Sequence, residues 1–262
     1  MRKPISMLGE RRVGAEVERP SRSAAQRYAM AASPLRSWMR RVAVGLKICF
    51  WQTLIKVRAG SKRAFDIVVS FVALIMSAPL LALVALLVKC DGGPVFFRQT
   101  RVGLRGRRFQ MIKFRSMCVD AEAKLEALLA RNEVAGGVRF KMDRDPRVTR
   151  VGQFLRRTSL DEVPQLFNVL AGDMTLVGPR PPVPREVAEY TLSDRRRLEH
   201  KPGITCLWQV GETDGGFWQV GNRNRINFKD QVELDVRYIE SRSLLRDAWL
   251  LIKTLPAMLL GK

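Results

Sequence analysis

The chain has 262 residues, 47% of them apolar, which is enough for a hydrophobic core and excludes a wholly disordered polypeptide. Forty-six Lys and Arg against 25 Asp and Glu give a formal charge of +21, so an anionic partner is expected: nucleic acid, an acidic bilayer or a phosphorylated substrate. Cys49, Cys90, Cys118 and Cys206 match neither a zinc pattern nor a small disulfide framework, and His200 is the only histidine. A Ser-His-Asp site or a multi-histidine metal centre is thereby discounted, and a reduced, cytoplasm-facing protein is expected.

Residues 1–60 read as a basic, largely disordered extension, since positions 1–63 hold 15 Lys and Arg but only three acids. Arginines interrupt every stretch that could serve as a secretory signal. Within the extension, 42–57 (VAVGLKICFWQTLIKV) suits a helix lying in a membrane interface, or equally an ordinary core helix. Ile67–Val88 follows, 22 residues without a charge. As a straight helix it would measure roughly 33 Å, enough to cross a bilayer. Pro79 lies inside this run, lacks an amide hydrogen and clashes with the carbonyl of Ile75, so a break is expected there, with the Ser77 hydroxyl satisfying freed backbone. Both flanks are basic, which favours a re-entrant helix over 66–89 entering and leaving by the cytoplasmic face, against a full crossing.

Residues 93–117 read as two strands around a Gly103–Gly106 turn, with seven basic residues and no acid between Arg98 and Arg115. Helical patterns follow at 119–134, 161–171, 184–199, 229–241 and 244–259, the last amphipathic enough to lie on a membrane. LWQVG at 207–211 is echoed by FWQVG at 217–221, which suggests a local insertion.

The chemically suggestive stretch is RRTSLDEVPQLFNVLAGDMTLVGPRPP. Ser159 with Glu162 three residues later fits a helix-capping box, in which Asp161 and Glu162 merely complement the helix dipole. The same adjacent carboxylates beside a phosphate suit Mg²⁺, one as nucleophile and the other as ligand. Pro179 and Pro181 hold Arg180 in an extended turn that orients its guanidinium for phosphate or a nucleobase; an ordinary loop is the alternative. Lys113 and Arg115 alternate along a strand, so both face one side, to neutralise a diphosphate or simply to meet solvent. His200 reads as a surface residue at a helix-to-strand junction.

Taken together, KRAFD (62–66), the Pro-containing apolar run, GPVFFRQTRVG (93–103), FQMIKFRSM (109–117), the block 145–181, KPGITCLWQV (201–210) and 234–259 resemble the bacterial sugar transferase family, the monotopic polyprenyl-phosphate phosphoglycosyl transferases. The resemblance implies an α/β, monotopic membrane protein: a Pro-broken re-entrant helix, a small β-hairpin, and amphipathic helices at the cytoplasmic face of the bacterial inner membrane. Residues 61–262 would form the transferase domain. It implies transfer of a hexose 1-phosphate from a UDP-sugar, glucose or galactose, to polyprenyl phosphate with release of UMP, as the first membrane step of exopolysaccharide, capsule or O-antigen synthesis. Asp161 would be the nucleophile forming an aspartyl phospho-sugar. Mg²⁺ would be held by Glu162 and Asp161, while Lys113, Arg115, Pro179, Arg180 and Pro181 would bind substrate. Asp235 and Asp247 match acidic positions of the family without an assigned role.

Two departures stand out. The family's Ser-Pro pair reads Ala78-Pro79, with Ser77 displaced by one, and about ten residues (Gly211–Val220) are inserted after the WQV strand. A nucleic-acid-binding protein, prompted by the charge, conflicts with the uncharged run. A non-catalytic membrane scaffold would leave the carboxylate pair as a helix cap.

Overall fold

The computed structural model describes residues 34–121, 123–124, 145–210, 212–213, 216–217 and 226–260. The chain divides into two compact units, Met1–Arg58 and Ala59–Lys262. In the first, the described residues are helical and exposed almost throughout, including Trp38, Phe50 and Trp51. Helix α1 runs Pro34–Lys89 and so starts ahead of the expected position 42, with Pro34 at its first residue, where a missing N–H costs nothing. The disorder expected for the start of the chain falls on residues outside the described ones, as does most of the helix expected at 119–134.

α1 stays helical through Pro79, so the expected break into two segments is not seen. The Ser77 hydroxyl donates to the carbonyl of Ala73 at 2.6 Å, and more weakly to that of Leu74, the two residues just before Ile75, whose carbonyl the proline cannot bond. The proline penalty of about 3 kcal/mol is thus absorbed within a helix of 56 residues rather than ending it. Along this helix Asp66, Ser70, Val84 and Val88 are buried, with Val69, Ala73, Leu74, Leu81 and Ala85 partly so, which makes one stripe of helical period against the rest of the second unit. The remaining apolar surface, including Val68, Phe71, Ile75, Met76, Leu83 and Leu86, is exposed. Such a continuous apolar face is unsuited to water, and the helix is long and apolar enough to cross a membrane.

Strands β1 (Phe96–Val102) and β2 (Arg108–Phe114) form the expected antiparallel hairpin around Gly103–Gly106, in register Phe96 with Phe114 and Val102 with Arg108. Helix α2 (Arg150–Thr158) was not expected, although Thr149 caps it by accepting from the Gly152 amide at 2.9 Å. Its apolar residues Val151 and Leu155 pack into a cluster with Val84, Val88 and Phe114. The helix expected over 161–171 is a 3₁₀ turn (Leu160–Glu162) followed by α3 (Gln165–Ala171). That expected over 184–199 divides into α4 (Pro184–Ala188) and a 3₁₀ segment (Asp194–Glu199), because Asp194 draws the amide and hydroxyl of Thr191 into a local turn.

The short strands β3 (Thr175–Val177) and β4 (Gly203–Thr205) pair in parallel. The WQV segment, expected as a strand, is instead a single helical turn, α5 (Leu207–Val210). The insertion contributes a small antiparallel pair, β5 (Glu212–Thr213) and β6 (Gly216–Phe217). Helices α6 (Phe228–Ser241) and α7 (Leu244–Leu260) fall where expected. The main core gathers Met111, Val169, Val177, Leu207, Tyr238 and Leu250 from β2, α3, β3, α5, α6 and α7, and Met174 just before β3, with Phe65 and Val69 of α1 packed against it.

Candidate active site

The Asp161–Glu162 pair sits on the 3₁₀ turn between α2 and α3. Ser159 does not cap a helix: it adopts left-handed geometry, φ 56°, at the end of α2, and its side chain makes no capping bond. The capping-box reading of Ser159 and Glu162 is therefore not realised. A left-handed non-glycine residue costs about 1 kcal/mol or more, and here it turns the chain sharply so that both carboxylates leave α2 beside the hairpin. Asp161 is buried and Glu162 half-buried.

Two other elements fix the turn. On β2, Lys113 Nζ lies 2.6 Å from Glu162 Oε1. Asn168 of α3 clamps the same strand, its side-chain oxygen accepting from the Ile112 amide at 3.0 Å and its amide donating to the Gln110 carbonyl at 2.7 Å. On α2, Arg156 Nε donates to the Ser116 hydroxyl at 2.9 Å. Burial lowers the pKa of that guanidinium, against the attraction of Asp161. Gly152 allows this approach, because a Cβ there would lie 1.9 Å from the Ser116 carbonyl oxygen.

The other expected residues separate. Arg115 does not share its strand neighbour's carboxylate: it turns to the end of α1 and donates from Nη2 to the Val88 carbonyl at 2.9 Å, packed so closely on Gly93 that a Cβ there would meet its Nη1 at 1.3 Å. Pro179 and Pro181 hold their loop by backbone bonds, the Pro179 carbonyl accepting from the Gly203 amide at 2.8 Å and the Pro181 carbonyl from Arg101 Nη1 at 2.9 Å. Arg180 between them is half-buried, and its carbonyl accepts a long bond from Arg197.

Buried charge networks support this frame. Arg197 is paired with Asp235, both almost fully buried, and Arg197 also donates to the Tyr190 hydroxyl at 3.1 Å. Lys62 of α1 bridges Asp66 at 2.6 Å and Asp247 at 2.8 Å, while Asp66 accepts from the Thr175 hydroxyl and Asp247 from that of Tyr238. Asp235 and Asp247 thus have structural roles. His200 is half-buried rather than fully exposed: its ring packs edge-on against Tyr238, with centroids 5.9 Å apart, and burial pushes its pKa down to about 4. Sequence reasoning missed Arg156, although the spacing of Val151 and Leu155 after a capping Thr signals the helix that carries it.

Among the described residues no three His, Cys, Asp or Glu side chains converge as metal ligands. Mg²⁺ commonly takes only one or two carboxylates and completes its shell with water and phosphate oxygens, so the buried Asp161 and the half-buried Glu162 on one turn are the residues that would hold it.

The family described as bacterial sugar transferase matches residues 57–261. The chain is 43% identical over 201 residues to the galactosyl transferase CpsE of Streptococcus agalactiae serotype III (strain NEM316), covering 77% of this chain and 42% of that protein. It is 42% identical over 201 residues to the undecaprenyl-phosphate galactose phosphotransferase of Salmonella typhimurium (strain LT2), covering 76% and 40%. It is 38% identical over 206 residues to the exopolysaccharide production protein ExoY of Sinorhizobium fredii (strain NBRC 101917 / NGR234), covering 77% and 87%. The chain therefore spans about two fifths of the length of the first two relatives and most of the third. With a family match that takes in α1 from residue 57, the hairpin, the carboxylate turn and the helices behind it, the chain belongs to the bacterial sugar transferase family.

Proposed function

We propose that residues 61–262 transfer a hexose 1-phosphate from a UDP-sugar to polyprenyl phosphate and release UMP, at the cytoplasmic face of a bacterial inner membrane. The observation that carries this reading is the buried Asp161 beside a Glu162 held by Lys113, presented by a strained turn between two packed helices. In the first displacement an Asp161 oxygen bonds to the β-phosphorus, and the bond from that phosphorus to the bridging oxygen breaks, leaving with UMP. In the second, a phosphate oxygen of the lipid bonds to the same phosphorus and Asp161 departs as a carboxylate. Two displacements avoid holding two large anionic substrates around one transition state.

A carboxylate approaching a diphosphate meets like charge, which Lys113, paired with Glu162, and Arg156, whose charge attracts Asp161, oppose. The Lys113–Glu162 pair is partly solvated, worth about 0.2–1 kcal/mol, so Lys113 can exchange it for a phosphate oxygen at little cost. Glu162 and Asp161 would hold Mg²⁺, which would supply further neutralisation of the diphosphate charge. Arg180, fixed by Pro179 and Pro181, is assigned to the nucleotide side, and Arg115 supports the site through the end of α1 rather than at the phosphates.

The apolar face of α1 supports insertion into lipid, and basic residues on both sides of Ile67–Val88 support placing both flanks in the cytoplasm. The exposed apolar residues of 42–57 suit a membrane interface. Single cysteines at Ala64 and Gly92, labelled in sealed vesicles, should react from one side; reaction from opposite sides would overturn this topology.

The test of the chemistry is a UMP-release assay in detergent with polyprenyl phosphate, Mg²⁺, and UDP-glucose or UDP-galactose. Asp161→Asn should abolish release, and mass spectrometry of donor-treated enzyme should find a sugar-phosphate adduct on residue 161. Undiminished turnover in that variant removes Asp161 as nucleophile and favours another carboxylate.

A further inference from the structure

A cavity with a basic rim lies at the far end of the hairpin from the carboxylate pair. It measures about 510 Å³ and is walled by the β1–β2 turn, including Arg105 and Arg107, and by Gly172, Asp173 and Lys201. Arg107 directly precedes β2 and Lys113 lies six residues on, so the rise of a strand separates this cavity from the Lys113–Glu162 pair by about 20 Å. It is not part of the site described above.

The cavity has an excess of cations and little to balance it. Arg105 sits in left-handed geometry, φ 54°, at the tip of the turn, and both it and Arg107 are exposed. Lys201 is half-buried at the opposite wall. None of the three makes a side-chain hydrogen bond or ion pair among the described residues, and Asp173 is the single acid in the lining. Behind Gly172 stands a fourth cation, Arg63, which donates to the Val169 and Leu170 carbonyls at 2.5 and 2.8 Å. A Cβ on Gly172 would be 3.4 Å from Arg63 Nη2 and 3.7 Å from Lys201 Nζ, so these two charges converge on one backbone position that only glycine's φ of 91° leaves open. The pKa of Lys201 is lowered by burial first and by Arg63 next, with Arg107 adding to the repulsion and Asp66 and Asp173 opposing it.

We propose that this cavity binds an anionic phosphate group, which supplies the charge its lining lacks, with Lys201, Arg105 and Arg107 as ligands. Three cations around one concavity bind phosphate by charge-assisted hydrogen bonds, and the turn's exposed guanidiniums can close on it from the open side. Arg63 precedes the uncharged run by only four residues, so an anionic phospholipid headgroup would be at hand at that level if α1 lies in lipid as proposed above. A soluble phosphate shares the chemistry and is the other source.

Occupancy is read at Lys201 itself, independently of turnover, so failure of the transferase reading would leave this test intact. The full chain in neutral detergent is labelled with trace acetic anhydride, and modification of Lys201 is compared with that of exposed Lys229 by peptide mass spectrometry. Phosphatidylglycerol, phosphatidylcholine or inorganic phosphate is added in separate arms. With a ligand at about ten times its Kd, the labelling rate of Lys201 should fall about tenfold while Lys229 is unchanged. Protection by phosphatidylglycerol but not by phosphate identifies the headgroup as the ligand, and protection by phosphate identifies a soluble anion. In either case it should be lost in R105N/R107Q, a change confined to exposed side chains, and kept in R105K/R107K, which preserves both charges. No protection in any arm, equal protection by phosphatidylcholine, or protection that survives R105N/R107Q would overturn the site.

Discussion

Lys113 and Glu162 stand 49 residues apart in sequence and 2.6 Å apart in space, one on β2 and the other on the turn after α2. The contact fixes the ends of two elements that share no local pattern. Because it is partly solvated it does little for stability; its value lies in holding a cation beside the carboxylate pair. Lys113→Ala should lower kcat/KM for UMP release by about 10²–10³-fold, as loss of a preorganised charge does, and leave the unfolding temperature nearly unchanged. Lys113→Arg should recover part of the loss. A kcat/KM within a few-fold of the parent would remove Lys113 from the site.

His200 gives the fold a pH dependence of defined sign. Its folded pKa of about 4 lies below the ordinary 6.5, because burial against Tyr238 disfavours the charged ring. Above pH 6.5 neither state binds the proton and the contribution is complete. As pH falls from 6.5 towards 4 the unfolded chain takes up a proton that the folded one refuses, so stability drops, by up to about 3 kcal/mol, and then levels off. Denaturant melts of the parent and of His200→Gln at pH 7 and pH 4.5 should show a smaller acid loss in the variant.

Gly152 is the contact point of α2 on the segment after β2. In Gly152→Ala the new methyl would meet the Ser116 backbone at 1.9 Å, which no side-chain rotation relieves. The expected cost is about 3 kcal/mol or more. Since α2 carries Arg156 to the carboxylates, variants that still fold should lose UMP release more than donor binding. Gly60→Ala, with open space around the added methyl, is the control that should leave both untouched.

The Arg197–Asp235 pair predicts an asymmetry. Asp235→Leu or Arg197→Met alone leaves a buried charge without its counterpart and should destabilise by about 3–5 kcal/mol. Combining Arg197→Met with Asp235→Leu should cost clearly less than the sum of the two single losses, measured as a double-mutant cycle by thermal unfolding. Additive losses would show that the two charges act separately.

Much of the frame was legible along the chain. The hairpin follows from glycines between two runs of strand formers, α6 and α7 from their apolar period, and α1 from uncharged length, because each is a property of neighbouring residues. The carboxylate pair too stood out, through adjacency and family resemblance. The tertiary structure decided what each does. Ser159 looks like a helix cap in sequence, yet its left-handed turn depends on α2 docking against Ser116. Lys113 and Arg115 share a strand face by alternation, yet one reaches Glu162 and the other the end of α1, since β2 ends at Phe114. Pro79 breaks an isolated helix, but here α1 is packed on both sides of it, with Ala73 and Leu74 before and Val84 and Val88 after. Local sequence sets which conformations are inexpensive; contacts between residues far apart in the chain select among them, and no short-range pattern encodes those contacts.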